Sequence, residues 1–177
     1  MKITVGHTPD SDDAFMFYGM LTGKIPSQDF EVQHVIADIE ELNKRALSEE
    51  LDVTAVSVHA CAYLPNYTIL RSGGSFGIGY GPIVIAKQQI PQESLSKLKI
   101  AIPGKMTSAF LLLQLMIGKF EYTEMNFSDI PAAVKEGKVD AGLVIHETQL
   151  SYESENLRSE EHTSELQSPV PISYAVF

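Results

Sequence analysis

The chain has 177 residues, 44% of them hydrophobic and 20% charged, with one cysteine and no tryptophan. With a mean hydropathy near zero this is the balance of a globular protein, long enough for a real core in one domain or two small ones. Thirteen basic residues stand against 23 acidic ones, and a net charge of −10 opposes a phosphate backbone, so nucleic acid is excluded as a partner.

Lys2-Ile3-Thr4-Val5 reads as a short strand and leads directly into turn residues. The start therefore lacks the continuous apolar run of an export signal, and a cytoplasmic location is expected. In Thr8-Pro9-Asp10-Ser11-Asp12-Asp13, Asp10 or Ser11 can cap a helix and the acidic residues suit its first turn. Capping explains Asp10, Asp12 and Asp13 more simply than a metal cluster, and no metal is expected. The helix carries Ala14-Phe15-Met16-Phe17-Tyr18 and stops between Gly19 and Gly23. Phe30, Val32, His34 and Ile36 alternate with Glu31, Gln33 and Val35, the period of a strand. Asp38 with Glu41 makes a capping-box pattern for a helix whose apolar stripe is Ile39, Leu42, Ala46 and Leu47. Val53 to Val58 is a β-branched run expected as a buried strand, and Cys61 after it reads as a small buried hydrophobe.

Gly73-Gly74-Ser75-Phe76-Gly77-Ile78-Gly79-Tyr80-Gly81 fits neither the dinucleotide fingerprint nor the phosphate-loop lysine pattern. It suggests permissive backbone at a hinge or ligand wall, leading into a strand at Pro82 to Ala86. The first pattern then recurs: strand Lys99 to Ile102, helix Thr107 to Ile117, strand Tyr122 to Phe127, helix Asp129 to Glu136 closed by Gly137, strand Ala141 to Ile145. The apolar run Ala109 to Ile117 is broken by Gln114 and too short to cross a bilayer, so no membrane is expected. Strands alternating with helices imply an α/β fold with parallel sheets, in two lobes spanning 1–86 and 87–157 with a cleft between them. From Arg158 the chain reads Arg-Ser-Glu-Glu-His-Thr-Ser-Glu-Leu-Gln-Ser, without helix or strand period until the last few residues. It resembles translated sequencing-adapter tails, so 158–177 is expected to be non-native and the second lobe incomplete at its C-terminus.

Ligands of open α/β sheets bind beyond the carboxyl ends of strands, which directs attention to the residues that follow each strand. After the first come His7 to Asp13, after the third Ser57 and His59, after Ile102 the loop Pro103-Gly104-Lys105-Met106-Thr107-Ser108, and after Ile145 His146-Glu147. Thr107 and Ser108 offer hydroxyls beside helix-start amides, which suits a carboxylate or phosphate, and Lys105 adds charge; plain helix capping explains the same residues equally well. Ser57 can donate a second such bond, or simply be satisfied by backbone. His146 is the candidate base, because an imidazole accepts a proton near neutral pH. It is not half of a zinc-protease motif, since Leu150 stands where the second histidine would fall.

Four segments together resemble one family: His7-Thr8-Pro9-Asp10-Ser11-Asp12-Asp13-Ala14-Phe15-Met16-Phe17-Tyr18, Leu70-Arg71-Ser72-Gly73-Gly74, Pro103 to Ala109, and Ala141 to Glu147. The resemblance, from about Lys2 to Leu157, is to the 1,4-dihydroxy-6-naphthoate synthases of the futalosine route to menaquinone. It implies the two-lobed fold of type II periplasmic solute-binding proteins, used in the cytoplasm. It also implies a carbon–carbon lyase that converts a small carboxylated substrate, cyclic dehypoxanthine futalosine, to the dihydroxynaphthoate and a dihydroxyacetone fragment, with no cofactor. By the same resemblance His146 is the proton acceptor, and Ala55, Val56 and Ser57 with Thr107 and Ser108 bind substrate; Ala55 stands where some members carry Lys. Chorismate dehydratase, a relative in the same pathway, and a non-catalytic solute-binding protein are the competing expectations. The Ile145-His146-Glu147 segment favours the synthase.

Overall fold

The computed structural model describes residues 1–26, 29–71, 73–77, 81–145, 157–159 and 172–176. The elements run β1 (Lys2–His7), α1 (Ser11–Leu21), β2 (Glu31–Ile36), α2 (Ile39–Leu47), β3 (Val53–Ser57), α3 (Val58–Cys61), β4 (Gly74–Gly77) and β5 (Ile83–Ala86). After a 3-10 turn at Gln92–Lys97 come β6 (Lys99–Ile102), α4 (Ser108–Ile117), β7 (Glu121–Glu124), α5 (Ile130–Glu136), β8 (Ala141–Val144), β9 (Arg158–Ser159) and β10 (Ile172–Val176). The chain divides into two compact units, Met1–Phe76 with Ser173–Phe177, and Gly77–Ile172.

In the first unit the sheet order is β2-β1-β3-β10-β4. The β1 strand runs parallel to β2 and β3, while β10 runs antiparallel to β3, with Tyr174 opposite Ser57 and Val176 opposite Ala55. One face of β1 packs Val5 against Phe17 of α1, with Ile3, Met16, Met20, Val32 and Val53 around them. On the other face α2 approaches so closely that a Cβ on Gly6 would lie 2.7 to 2.9 Å from Thr54, Leu51 and Leu42 side chains. The α2 start is built as its sequence implies: Asp38 Oδ1 accepts from the Glu41 amide at 2.9 Å. The Glu41 carboxylate turns to Arg45 at 2.9 Å, forming a helical i, i+4 pair.

The second unit repeats the plan in the order β7-β6-β8-β5-β9. The β6 strand is parallel to β7 and β8, and β5 is antiparallel to β8 and β9. Its core gathers Ile83, Ile85, Ala101, Ile130, Val134, Val144 and Leu157. Here Gly142 of β8 lets α5 settle on the sheet, since a Cβ there would overlap Ile130 Cγ2 and meet Val134 Cγ2 at 3.0 Å.

Several expectations need correction. The sequence places the lobe boundary after Ala86; the structure draws it at Phe76, because β5 hydrogen-bonds along its whole length to β8 of the second sheet. The glycine-rich segment supplies β4, an edge strand of the first sheet, and 78–80 within it lie outside the described residues. The third strand ends at Ser57, and Val58, 42% exposed, opens α3. The seventh strand stops at Glu124 because Asn126 caps a 3-10 turn at Phe127–Asp129. Leu47 leaves the apolar stripe of α2 and is 46% exposed. Cys61 is only half-buried, and its thiol donates to the Ser57 carbonyl at 3.5 Å. Within 158–177 the described residues form β9 and β10, which pair with β5 and β3 through backbone bonds that ask only for an extended segment.

Candidate functional site

At the carboxyl end of β1, His7 is buried and stacks on Phe17, with ring centroids 4.6 Å apart and planes 17° from parallel. Its Nδ1 lies 3.2 Å from the Thr8 carbonyl and its Nε2 3.1 Å from Nδ1 of His34 on β2. A carbonyl can only accept, so His7 carries its proton on Nδ1. In the neutral pair His34 then donates from its own Nδ1 to His7 Nε2. Burial, followed by the neighbouring His7, pushes the His34 pKa down. Beside this pair Asp13 is buried and accepts two bonds on Oδ2, from the Thr8 amide at 2.7 Å and the Thr8 hydroxyl at 3.0 Å. Burial raises the Asp13 pKa, the bonds from Thr8 oppose that, and Asp12 adds to it. Asp10 holds the N-cap position of α1 without a side-chain cap bond, so Asp13 is not part of a simple cap; it ties the β1–α1 loop from beneath.

The end of β3 is more polar than a core strand should be. Ala55 and Val56 are buried strand residues, and Ser57 after them is fully buried. Asn43 of α2 grips Ser57 twice: its Oδ1 accepts from the Ser57 amide at 2.9 Å and its Nδ2 donates to Ser57 Oγ at 3.1 Å. The same Nδ2 donates to Glu40 Oε2 at 3.3 Å. Glu40 and Asn43 are both buried. Neither was singled out from the sequence, although a signal was there. Asn43 follows Ile39 by one turn and precedes Ala46 by one turn, a polar residue set in an apolar stripe.

In the second unit the loop after β6 delivers Thr107 to the N-cap of α4. The Thr107 hydroxyl donates to the Gly104 carbonyl at 2.7 Å and accepts from the Phe110 amide at 3.2 Å. The helix cap expected of this residue is present, a role compatible with contact to a ligand. Ser108 opens α4 and is buried. Lys105 is exposed, with its ammonium 5.8 Å from the Tyr122 ring centroid. The structure brings Ala55, Val56 and Ser57 together in the first unit and Thr107 with Ser108 in the second. His146 and Glu147 lie outside the described residues, which reach Ile145, a buried residue one position past β8.

Among the described residues no group of three or more His, Cys, Asp or Glu side chains is arranged to hold a metal ion. No helix among them is long and apolar enough to cross a membrane. An open hollow of about 360 Å³ lies at the start of β3, lined by Glu49, Leu51, Asp52, Tyr67 and Leu70. That is the opposite end of the strand from Ser57, away from the carboxyl ends where sheets of this kind present ligands.

Residues 3–166 match the family model described as menaquinone biosynthesis. The chain belongs to the menaquinone-biosynthesis family. Within curated relatives it is 37% identical over 151 residues to a 1,4-dihydroxy-6-naphthoate synthase of Thermus thermophilus, covering 85% of this chain and 54% of that protein. A synthase of the same name from Streptomyces coelicolor is 33% identical, over 96% of this chain and 64% of the relative. The chain thus spans somewhat more than half the length of the curated family members it matches. A solved structure from Archaeoglobus fulgidus superposes with a TM-score of 0.88 at 46% identity, over 99% of this chain and 67% of that one. The alkanesulfonate-binding protein of Xanthomonas axonopodis superposes with a TM-score of 0.72 at 13% identity, over 98% of this chain and 65% of that one. The fold of this family member is accordingly the periplasmic-binding-protein fold.

Proposed function

We propose that the protein is a 1,4-dihydroxy-6-naphthoate synthase, a carbon–carbon lyase of menaquinone biosynthesis acting in the cytoplasm on cyclic dehypoxanthine futalosine. The observation that carries this reading is the identity with two curated synthases across most of this chain. The geometry supports it at two places. Ser57 sits with its hydroxyl at the carboxyl end of a parallel strand, where it can donate to a substrate carboxylate. Thr107 and Ser108 open α4, whose first amides and positive dipole end suit the same kind of group. The Thr107 hydroxyl proton rests on Gly104, so at this helix the carboxylate would meet backbone amides and Ser108, with Thr107 holding the turn.

In this reading His146 acts as general base. It takes a proton from the bound substrate, the electron pair left behind forms a new π bond as the adjacent carbon–carbon bond breaks, and the carbanion released on the departing three-carbon side takes a proton back. The step is internally balanced in electrons and needs no external oxidant. Ala55 and Val56 contribute the strand that sets Ser57 in place.

The test is incubation of the purified chain with cyclic dehypoxanthine futalosine, and separately with chorismate, without added cofactor. The Thermus thermophilus synthase serves as positive control, and products are separated by chromatography. Naphthoate formed only from the futalosine derivative is expected. Loss of water from chorismate would instead make it a dehydratase, and binding without turnover would make it a solute-binding protein.

A further inference from the structure

We infer that Asn43 is a positioning residue that sets Ser57 as a hydrogen-bond donor and so makes its site selective for a carboxylate over a carboxamide. The inference rests on the proposed role of Ser57 as a carboxylate contact and deepens it.

The argument starts from the amide of Asn43. Its oxygen is identified by its partner, because the Ser57 N–H at 2.9 Å is a donor and requires an acceptor. The other terminal atom is therefore the NH2 group, and it donates to Ser57 Oγ at 3.1 Å. Glu40 Oε2, 3.3 Å from the same nitrogen, is a second acceptor that favours this orientation and opposes a flip. A rotated amide would set its oxygen against the Glu40 carboxylate and its NH2 against the Ser57 N–H, two repulsive contacts in a buried place.

The consequence falls on Ser57. With Asn43 donating into its oxygen, the hydroxyl proton points elsewhere, and among the described residues nothing accepts it. A hydroxyl without such a clamp rotates to donate or accept as its ligand demands. Here the second lone pair can still accept, but a ligand that used it would leave the buried hydroxyl proton without an acceptor, so donation is favoured. A carboxylate satisfies it through either oxygen, whereas a carboxamide does so only through its carbonyl oxygen, and its NH2 face meets a second donor. Leaving a buried donor unmatched is what builds large specificity ratios, since the wrong ligand loses more than the bond itself. Glu40 acts one step further back, by holding Asn43.

The experiment is equilibrium binding of cyclic dehypoxanthine futalosine, and of the same molecule with its carboxylate converted to the carboxamide, to the chain and to three variants. These are Asn43→Ala, Ser57→Ala and the double variant, each with its melting temperature measured. The wild type is expected to prefer the carboxylate, and Ser57→Ala to weaken its binding about tenfold or more. Asn43→Ala is expected to weaken it similarly and to shrink the carboxylate-to-carboxamide ratio. The double variant is expected to bind no worse than Ser57→Ala, because both changes remove one device. An Asn43→Ala protein that keeps the ratio, or whose loss adds in full to that of Ser57→Ala, overturns the inference and leaves a merely structural Asn43. Unchanged carboxylate binding in Ser57→Ala overturns instead the role of Ser57 on which the inference rests. If Asn43→Ala melts below the assay temperature, Asn43→Asp combined with Glu40→Gln, which keeps both side-chain shapes, removes the amide donor and sets no second carboxylate against the new one, reads the same ratio.

Discussion

The two units share one sheet plan and differ in what they bury. Each has a parallel trio with an antiparallel strand inserted next to its third member, in the orders β2-β1-β3-β10-β4 and β7-β6-β8-β5-β9. In the first unit the buried polar residues are His7, Thr8, Asp13, Glu40, Asn43, Thr54 and Ser57. In the second, among the described residues, they are Thr107 and Ser108 at one helix start. Buried polar groups are costly unless bonded, and six of those in the first unit form two sets, His7, Thr8 and Asp13 after β1 and Glu40, Asn43 and Ser57 at the end of β3, while Thr54 donates to the Ala55 carbonyl. The shared plan therefore says how the sheets are assembled, and the bonded polar sets of the first unit say where its own side chains have been committed to a task.

The shared plan can be broken most sharply at its two glycines. In β8, Gly142 faces Ile130 and Val134 of α5, both β-branched and unable to swing away, so Gly142→Ala is expected to cost about 3 kcal/mol in denaturant unfolding. In β1, Gly6 faces Leu42 and Leu51 side-chain ends that can yield and the β-branched Thr54, whose Oγ1 at 2.7 Å is a looser contact than Ile130 makes with Gly142, so Gly6→Ala is expected to cost less, about 2 kcal/mol. The reverse order would show that the helix of the first unit is the more rigidly seated.

Thr107→Ala tests the polar interior of the second unit. Its hydroxyl caps α4, so about 1 kcal/mol of stability should be lost, read as a lower melting temperature. Unchanged stability would return that hydroxyl to a purely ligand-binding role.

The smallest expected effect is a pH dependence from the first unit. Because the folded chain holds the His34 pKa below its ordinary 6.5, the stability tied to neutral His34 is complete above that pH. It falls as the pH drops from 6.5 to the lowered folded value, the range in which the unfolded chain holds a proton that the folded chain resists, and levels off below it. Melting followed from pH 7.5 down to 5 should show this decline, and His34→Gln should flatten it. An equal slope in the variant would place the titration elsewhere.

Much of the fold was legible because local rules and tertiary packing agree. Lys99 to Ile102 is a strand at those bounds, and Asp38 caps α2 through Glu41 as its spacing implies. Failures came where a long-range partner decided the outcome. Nothing local says that Ile83–Ala86 pairs with β8, or that Ile172–Val176 lies beside β3. For the candidate site, Ser57 and Thr107 were legible from their places after strands. Capping by Thr107 was legible too, and only its two partners, Gly104 and Phe110, needed the geometry. Asn43 and Glu40 were visible only as irregularities on an apolar stripe, and Asp13 looked like a helix cap until Thr8 was seen to bind it. Each belongs to a network that joins residues distant in sequence or hidden by a stronger local pattern.

The central claim is that this is a lyase with His146 as its base, and kcat of the folded His146→Asn variant against wild type, on cyclic dehypoxanthine futalosine, tests it most directly. The expected result is naphthoate production by the wild type and a kcat lower by about 10²-fold or more in the variant, with substrate binding and melting temperature preserved. A variant that melts like the wild type and keeps a near-normal kcat would contradict the claim.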